Sequence, residues 1–127
     1  MAAEKAQETG LAGRYANAVF ELAQDEKSVD AVGADFAALR RMVGESPDLA
    51  RLIKAPIYSR AEQSKAMKAV LEKMGASALA IQFVLVLAAK RRMFALPDII
   101  AAYDRLVARL KGEVRAEVTS AHALSDS

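Results

Sequence analysis

The stretch "GRYANAVFELAQ", residues 13–24, decides the fold class because its apolar residues recur at helical spacing. Wound at about 100° per residue, it groups Arg14, Asn17 and Glu21 on one side and leaves an apolar arc of about 200°. A surface helix that packs on one core needs an apolar arc of little more than about 100°. The additional apolar surface predicts a second contact besides the core, and Ala18 lies at the margin of the apolar arc.

The two edges of this arc have different predicted roles. One edge, which carries Ala16, Val19 and Ala23, is expected to face the interior of the protein. The other edge carries Tyr15, Ala18 and Leu22 and is expected to face a partner. The alternative is that the whole arc is buried inside the bundle, and the residues alone favour neither.

Composition narrows the class of protein. The chain has 127 residues, of which 54% are hydrophobic and 27% charged, as expected for one folded domain. A net charge of +2 gives little reason to expect nucleic-acid binding, and the absence of cysteine excludes disulfides and thiolate metal sites. The longest apolar run, "ALAIQFVLVLAA" at 78–89, is shorter than the roughly 20 residues of a membrane span. We therefore expect no direct membrane insertion and interpret this run as a buried central helix.

Turn and cap residues divide residues 1–112 into six helical segments. The predicted helices cover residues 11–24, 29–44, 47–54, 60–74, 78–92 and 96–112. The predicted N-caps are Thr9, Ser28, Ser46, Ser59 and Ser77, and Ser59 forms a capping-box pattern with Glu62. Short connections between the segments favour an all-α, compact six-helix bundle.

A different pattern begins at residue 113. Val114, Ala116 and Val118 alternate with polar residues at a period of two. Residues 113–127 are therefore either a linker into a strand that starts a second domain, or an extension of the sixth helix with a frayed end. The two alternatives carry equal weight.

No set of catalytic residues is evident in the sequence. His122 is the only histidine and lies in a polar tail, which does not provide the fixed geometry of a nucleophile and its base. We predict no catalytic residue, no cofactor and no metal site. Two basic clusters, Arg40-Arg41 and Lys90-Arg91-Arg92, could bind phosphates. The alternative is that they only stabilise helix ends, because the helix dipole favours cations near a C-terminus.

Three segments, in this order along the chain, carry a resemblance to a known family. "RYANAVFELA" at 14–23, "FVLVLAAKRRMFALPDIIAAY" at 83–103 and "AEVTSAHALS" at 116–125 resemble the delta subunit of F-type ATP synthases, called the oligomycin-sensitivity-conferring protein in mitochondria. The resemblance covers essentially the whole chain. It implies an N-terminal six-helix bundle followed by a C-terminal domain that contains strands and begins near residue 113.

The resemblance also implies a mechanical function. In that family the N-terminal domain sits on the F1 alpha/beta head and binds N-terminal helices of alpha subunits, and the C-terminal domain engages the b subunits of the peripheral stalk. A subunit of this kind is a non-catalytic stator that couples proton-driven rotation to ATP synthesis. It is peripheral, on the cytoplasmic face of the bacterial inner membrane or the matrix side in mitochondria.

The resemblance places the contact with the alpha subunit on the first and fifth helices. Transferred by motif, its positions are Tyr15, Ala18 and Val86, and the helical wheel adds five more: Val19, Leu22, Leu79, Gln82 and Phe83. The alternative function is an RNA-binding helical module of the antitermination-factor (NusB-like) type, which also begins with an Arg- and Ala-rich helix.

Overall fold

The computed structural model describes residues 9–54 and 57–126, and side chains within that range as far as residue 112. This part of the chain forms six α-helices and one 3-10 turn and contains no strand. The helices are α1 Gly10–Asp25, α2 Val29–Glu45, α3 Pro47–Lys54, α4 Arg60–Lys73, α5 Ala78–Ala89 and α6 Leu96–Asp126, with the 3-10 turn at Met93–Ala95. The predicted all-helical bundle is confirmed.

Three of the five predicted N-caps form their hydrogen bonds. Ser59 makes a complete capping box, in which its hydroxyl accepts from the Glu62 amide at 3.0 Å and the Glu62 carboxylate accepts from the Ser59 amide at 2.8 Å. The hydroxyls of Ser46 and Ser77 accept from the amides three residues later, at 3.2 and 3.3 Å. These bonds satisfy amides that the helix itself cannot pair.

Thr9 and Ser28 occupy the N-cap positions of α1 and α2 as predicted, but neither side chain accepts a capping hydrogen bond. Ser28 has φ −124° and ψ 23°, whereas an N-cap residue typically adopts an extended backbone. Its amide donates to the carbonyl of Ala23 at 2.7 Å, because Ser28 completes the C-terminal turn of α1. The hydrogen bonds at the junction between α1 and α2 therefore belong to the C-terminal turn of α1.

The core lies where α6 packs against α1 and α2. Tyr103 of α6 is at its centre and has no exposed surface; its ring contacts those of Phe36 and Phe20 at centroid distances of 5.1 and 5.8 Å. The Tyr103 hydroxyl donates to the carbonyl of Val29 at 2.7 Å. Burial, with the negative charges of Asp30 and Asp104, raises the pKa of Tyr103 well above its ordinary value. The phenol is therefore neutral throughout the physiological range.

The predicted central position of α5 is wrong in one respect. Six of its residues are buried: Leu79, Ala80, Phe83, Val84, Leu87 and Ala88. Gln82 and Val86, with the terminal alanines Ala78 and Ala89, are exposed, so one side of this uncharged helix is open. The reason is packing: α5 lies mainly against α4, with smaller contacts to α2 and the 3-10 turn.

The period-two pattern after residue 113 does not form a strand. Helix α6 continues through it to Asp126, which matches the second of the two alternatives. The side chains from residue 113 onward, including His122, lie outside the described residues, and the domain boundary near residue 112 stays a prediction.

Candidate functional site

Helices α1 and α5 approach each other through side chains and not through close backbone packing. α1 packs mainly on α6 and α5 mainly on α4. The ring of Tyr15 meets that of Phe83 edge to face, with centroids 6.2 Å apart. We call the surface around this pair the α1/α5 face and define it by Tyr15, Ala18 and Leu22 of α1 and Gln82 and Val86 of α5.

The exposed residues of the α1/α5 face are mostly apolar. Leu22 is 48% exposed and Val86 is 44% exposed, and both belong to the few large hydrophobic residues of the described chain with so much free surface. Ala18 and Gln82 are exposed, and Tyr15 is half-buried. On α1 these residues have helical spacings of three and four, so they form one stripe. The division of α1 into a core edge and an open edge is as predicted.

Three of the predicted contact residues are mainly core residues. Leu79 and Phe83 each keep only 8% of their surface exposed, so they form the base of the α1/α5 face. Val19 has no exposed surface at all, so it is a core residue and not part of the exposed α1/α5 face. It lies one residue beyond Ala18 on the helix, a rotation of about 100°, which carries it round to the interior with Ala16 and Ala23.

A chain of aromatic rings connects the α1/α5 face to the core. From Tyr15 the contacts pass to Phe83, then to Phe36 at 5.9 Å, to Tyr103 and back to Phe20 of α1. The chain includes residues of α1, α5, α2 and α6. Packed rings have few alternative positions, so this arrangement restrains Tyr15 and Phe83 at the α1/α5 face.

A depression of about 360 Å³ opens at one edge of the α1/α5 face. Leu11, Arg14, Tyr15, Ala18 and Arg92 line it. Arg14 lies on the polar side of the α1 wheel and was not predicted to belong to a site. Arg92 belongs to the basic cluster Lys90-Arg91-Arg92, for which the sequence predicts either phosphate binding or stabilisation of a helix end.

The other predicted basic cluster has a structural role at one position. Arg40 of α2 donates to the carboxylate of Asp104 of α6 at 2.7 Å and so joins two helices. Both side chains are substantially exposed, which limits the stabilisation from such a pair to about 0–1 kcal/mol.

The described residues contain no cluster of three or more histidine, aspartate or glutamate side chains placed to hold a metal ion. None of the helices in this part of the chain combines the length and apolar character needed to cross a membrane.

The fold and the face together define the chain as an all-helical bundle with an open apolar surface between its first and fifth helices. Residues 11–127 match the family described as ATP synthase delta (OSCP) subunit. The chain belongs to this family. The family match gives the RNA-binding alternative no support.

Curated relatives agree with this assignment. The proteins named ATP synthase subunit delta from two Rhodopseudomonas palustris strains, BisA53 and BisB18, are 52% and 50% identical to the chain over 126 residues. The protein of the same name from Bradyrhizobium diazoefficiens is 49% identical over 126 residues. Each alignment covers 99% of this chain and 68% of the relative.

Proposed function

We propose that this protein is a non-catalytic stator subunit of an ATP synthase and that its α1/α5 face binds the N-terminal helix of an alpha subunit. The observation that carries the proposal is the exposure of Leu22 and Val86 on that face, beside the uncharged surface of α5. Family membership supplies the complex in which such a face would be covered.

The chemistry of the face suits an amphipathic helix. Its exposed apolar residues follow helical stripes, and Ala18 leaves room for another backbone to come close. Burying about 600 Å² of apolar surface there would contribute roughly 15 kcal/mol before the costs of association and side-chain ordering. Strong binding is therefore achievable even after those costs are subtracted.

The task of such a subunit is mechanical. Held on top of the F1 alpha/beta head, the bundle keeps the head from turning with the rotor, so that proton-driven rotation is converted into ATP synthesis. We propose that the attachment to the b subunits uses a C-terminal domain that begins near residue 113. The protein is then peripheral, on the side of the membrane where F1 lies.

Titration with a peptide tests this proposal directly. The 127-residue chain is titrated calorimetrically with the N-terminal peptide of its cognate alpha subunit, and we expect saturable binding at micromolar concentration or better. The discriminating variant is Ala18→Asp, which places a charge against the apolar side of the bound helix and should weaken binding by about 30-fold or more.

Ala69→Asp is the matched control, since Ala69 is an exposed alanine on α4, outside the α1/α5 face. It should bind the peptide like the unmodified chain. No binding by the folded protein, or equal losses from the two aspartates, would reject the proposal. Circular dichroism shows whether each variant is folded.

A further inference from the structure

We propose that Arg14 and Arg92 together bind a carboxylate on the helix that occupies the α1/α5 face, and so fix the register of that helix. The inference rests on the proposed function and adds a specificity site to it. Both arginines line the depression at the edge of the face, and Leu11, Tyr15 and Ala18 line the rest of it.

The end of α5 brings Arg92 to this position. Arg91 has a left-handed backbone with φ 58°, and its amide donates to the Ala88 carbonyl at 3.1 Å. The Arg92 amide donates to the carbonyl of Leu87 at 2.8 Å, which completes a Schellman motif. The chain turns away from the axis of α5 at this point, and Arg92 becomes a half-buried residue beside α1.

The side chains of the consecutive residues Arg91 and Arg92 thereby reach different parts of the protein. The Arg91 guanidinium donates to the carbonyl of Tyr58 at 2.6 Å, in the segment between α3 and α4. Arg92 instead reaches the depression that contains Arg14. Arg91 thus has a structural contact, while Arg92 is placed at the proposed binding surface.

The charges in the depression are not compensated within the described chain. No carboxylate lines the depression, and among the described residues neither Arg14 nor Arg92 has a hydrogen-bond or ion-pair partner. Other arginines are paired: Arg40 with Asp104 at 2.7 Å and Arg51 with Asp48 at 3.1 Å. Two positive charges that line one depression without a carboxylate favour the binding of an anion there.

An acidic side chain on a docked helix fits this depression. A guanidinium binds a carboxylate through charge-assisted hydrogen bonds in a planar geometry. The apolar neighbours Leu11, Tyr15 and Ala18 would cover the carbons of that side chain and of the adjoining helical turn. The two arginines lie at the edge of the face and remain partly solvated, so their contribution is to orientation and specificity more than to affinity.

A double-mutant cycle with the cognate alpha-subunit N-terminal peptide tests the proposal. The protein variants are Arg14→Gln and Arg92→Gln, and Arg41→Gln is the control because Arg41 is an exposed arginine on α2 that does not line the depression. The peptide variants replace each acidic residue in turn by its amide. Each measurement is made at about 50 mM and about 500 mM salt, which changes the screening of exposed charges.

We expect each glutamine variant at position 14 or 92 to weaken binding by about 3- to 10-fold at low salt, with a smaller loss at high salt. One amide peptide should lose at least as much affinity as either arginine variant, because it lacks the partner of both arginines, and it should show no further loss with either variant. Arg41→Gln should bind each peptide with the affinity that the unmodified chain has for it. The proposal is overturned if no amide substitution weakens binding, or if the arginine variants weaken binding to every peptide equally.

Three further outcomes bear on the two proposals. If Ala18→Asp abolishes binding while both arginine variants bind like the unmodified chain, the α1/α5 face is the binding site and the carboxylate site is rejected. If the unmodified protein does not bind the peptide, both proposals fail. Competition by inorganic phosphate at constant ionic strength, without any effect of the amide peptides, would show a free-anion site and also overturn the inference.

Discussion

The rings of Tyr15 and Phe83 meet edge to face, 6.2 Å apart, and join the exposed edge of α1 to the base of α5. Phe83 also contacts Phe36 in the core at 5.9 Å, whereas Tyr15 is half-buried. The two partners of one ring pair therefore have unequal roles: Phe83 belongs to the core and Tyr15 to the surface.

Truncation of the two rings should separate stability from binding. Phe83→Ala should lower the free energy of unfolding by about 3–5 kcal/mol because it empties a buried site. Tyr15→Ala should cost less, about 1–2 kcal/mol for one aromatic contact and a partly exposed side chain, and should weaken peptide binding. Urea unfolding followed by circular dichroism measures both. Equal losses of stability would show that Tyr15 is a core residue.

Two valines of α5, at positions 84 and 86, provide a second test that separates effects on stability from effects on binding. Val84 has no exposed surface and Val86 is 44% exposed. Val84→Asp would bury an unpaired charge and should unfold the bundle, whereas Val86→Asp should change the free energy of unfolding by no more than about 1 kcal/mol. Val86→Asp should nevertheless weaken peptide binding by at least about tenfold. A Val86→Asp variant that binds normally would remove α5 from the proposed contact.

Local patterns were enough to predict which side of α1 is buried. Ala16, Val19 and Ala23 share one edge of a helix that also has a clear polar side, so its orientation follows from the sequence. α5 offers no such guide, because residues 78–89 contain no charged side chain and one polar residue, Gln82. Only the positions of α4 and α2 determine that Gln82 and Val86 are left open.

Arg92 shows why the edge of the face could not be predicted. Its position depends on the left-handed conformation of Arg91, a residue type that rarely adopts it. Gln63 is a similar case: it is a buried polar residue whose side-chain amide donates to the Leu52 carbonyl at 2.9 Å, an atom of another helix. Contacts of this kind depend on tertiary packing and leave no periodic signal.

Tyr103 should make the protein sensitive to alkaline pH. Its pKa is raised in the folded state by burial first, and then by the charges of Asp30 and Asp104, whereas an unfolded tyrosine titrates near pH 10. The stabilisation is complete below pH 10 and is lost as the pH rises above that value, because only the unfolded chain then releases the proton.

The matching variant is Tyr103→Phe. At pH 7 it should lower the free energy of unfolding by about 1 kcal/mol, through loss of the hydrogen bond to Val29. Above pH 10 its stability should fall less steeply than that of the unmodified protein, by about 1.4 kcal/mol per pH unit. Urea unfolding between pH 7 and about 11.5 measures the difference. Parallel pH profiles would contradict the assignment of this dependence to Tyr103.

The last prediction concerns the left-handed residue that ends α1. Lys27 has φ 57°, and its amide and that of Ser28 donate to the carbonyls of Gln24 and Ala23, as in the Schellman motif that Gly75 forms after α4. This conformation costs a residue with a side chain about 1–2 kcal/mol, and glycine adopts it without that cost. Lys27 is exposed, so little packing is lost on its removal.

Lys27→Gly should therefore raise the free energy of unfolding by about 0.5–1 kcal/mol, since the greater freedom of glycine in the unfolded chain offsets part of the gain. Thermal unfolding should show a rise in Tm of roughly 2–5 °C. Gly75→Ala is the reciprocal control: a Cβ there meets no atom within 4 Å, so its expected loss of about 1 kcal/mol is due to backbone strain alone. If both variants shifted Tm in the same direction, the backbone conformation would not be the cause.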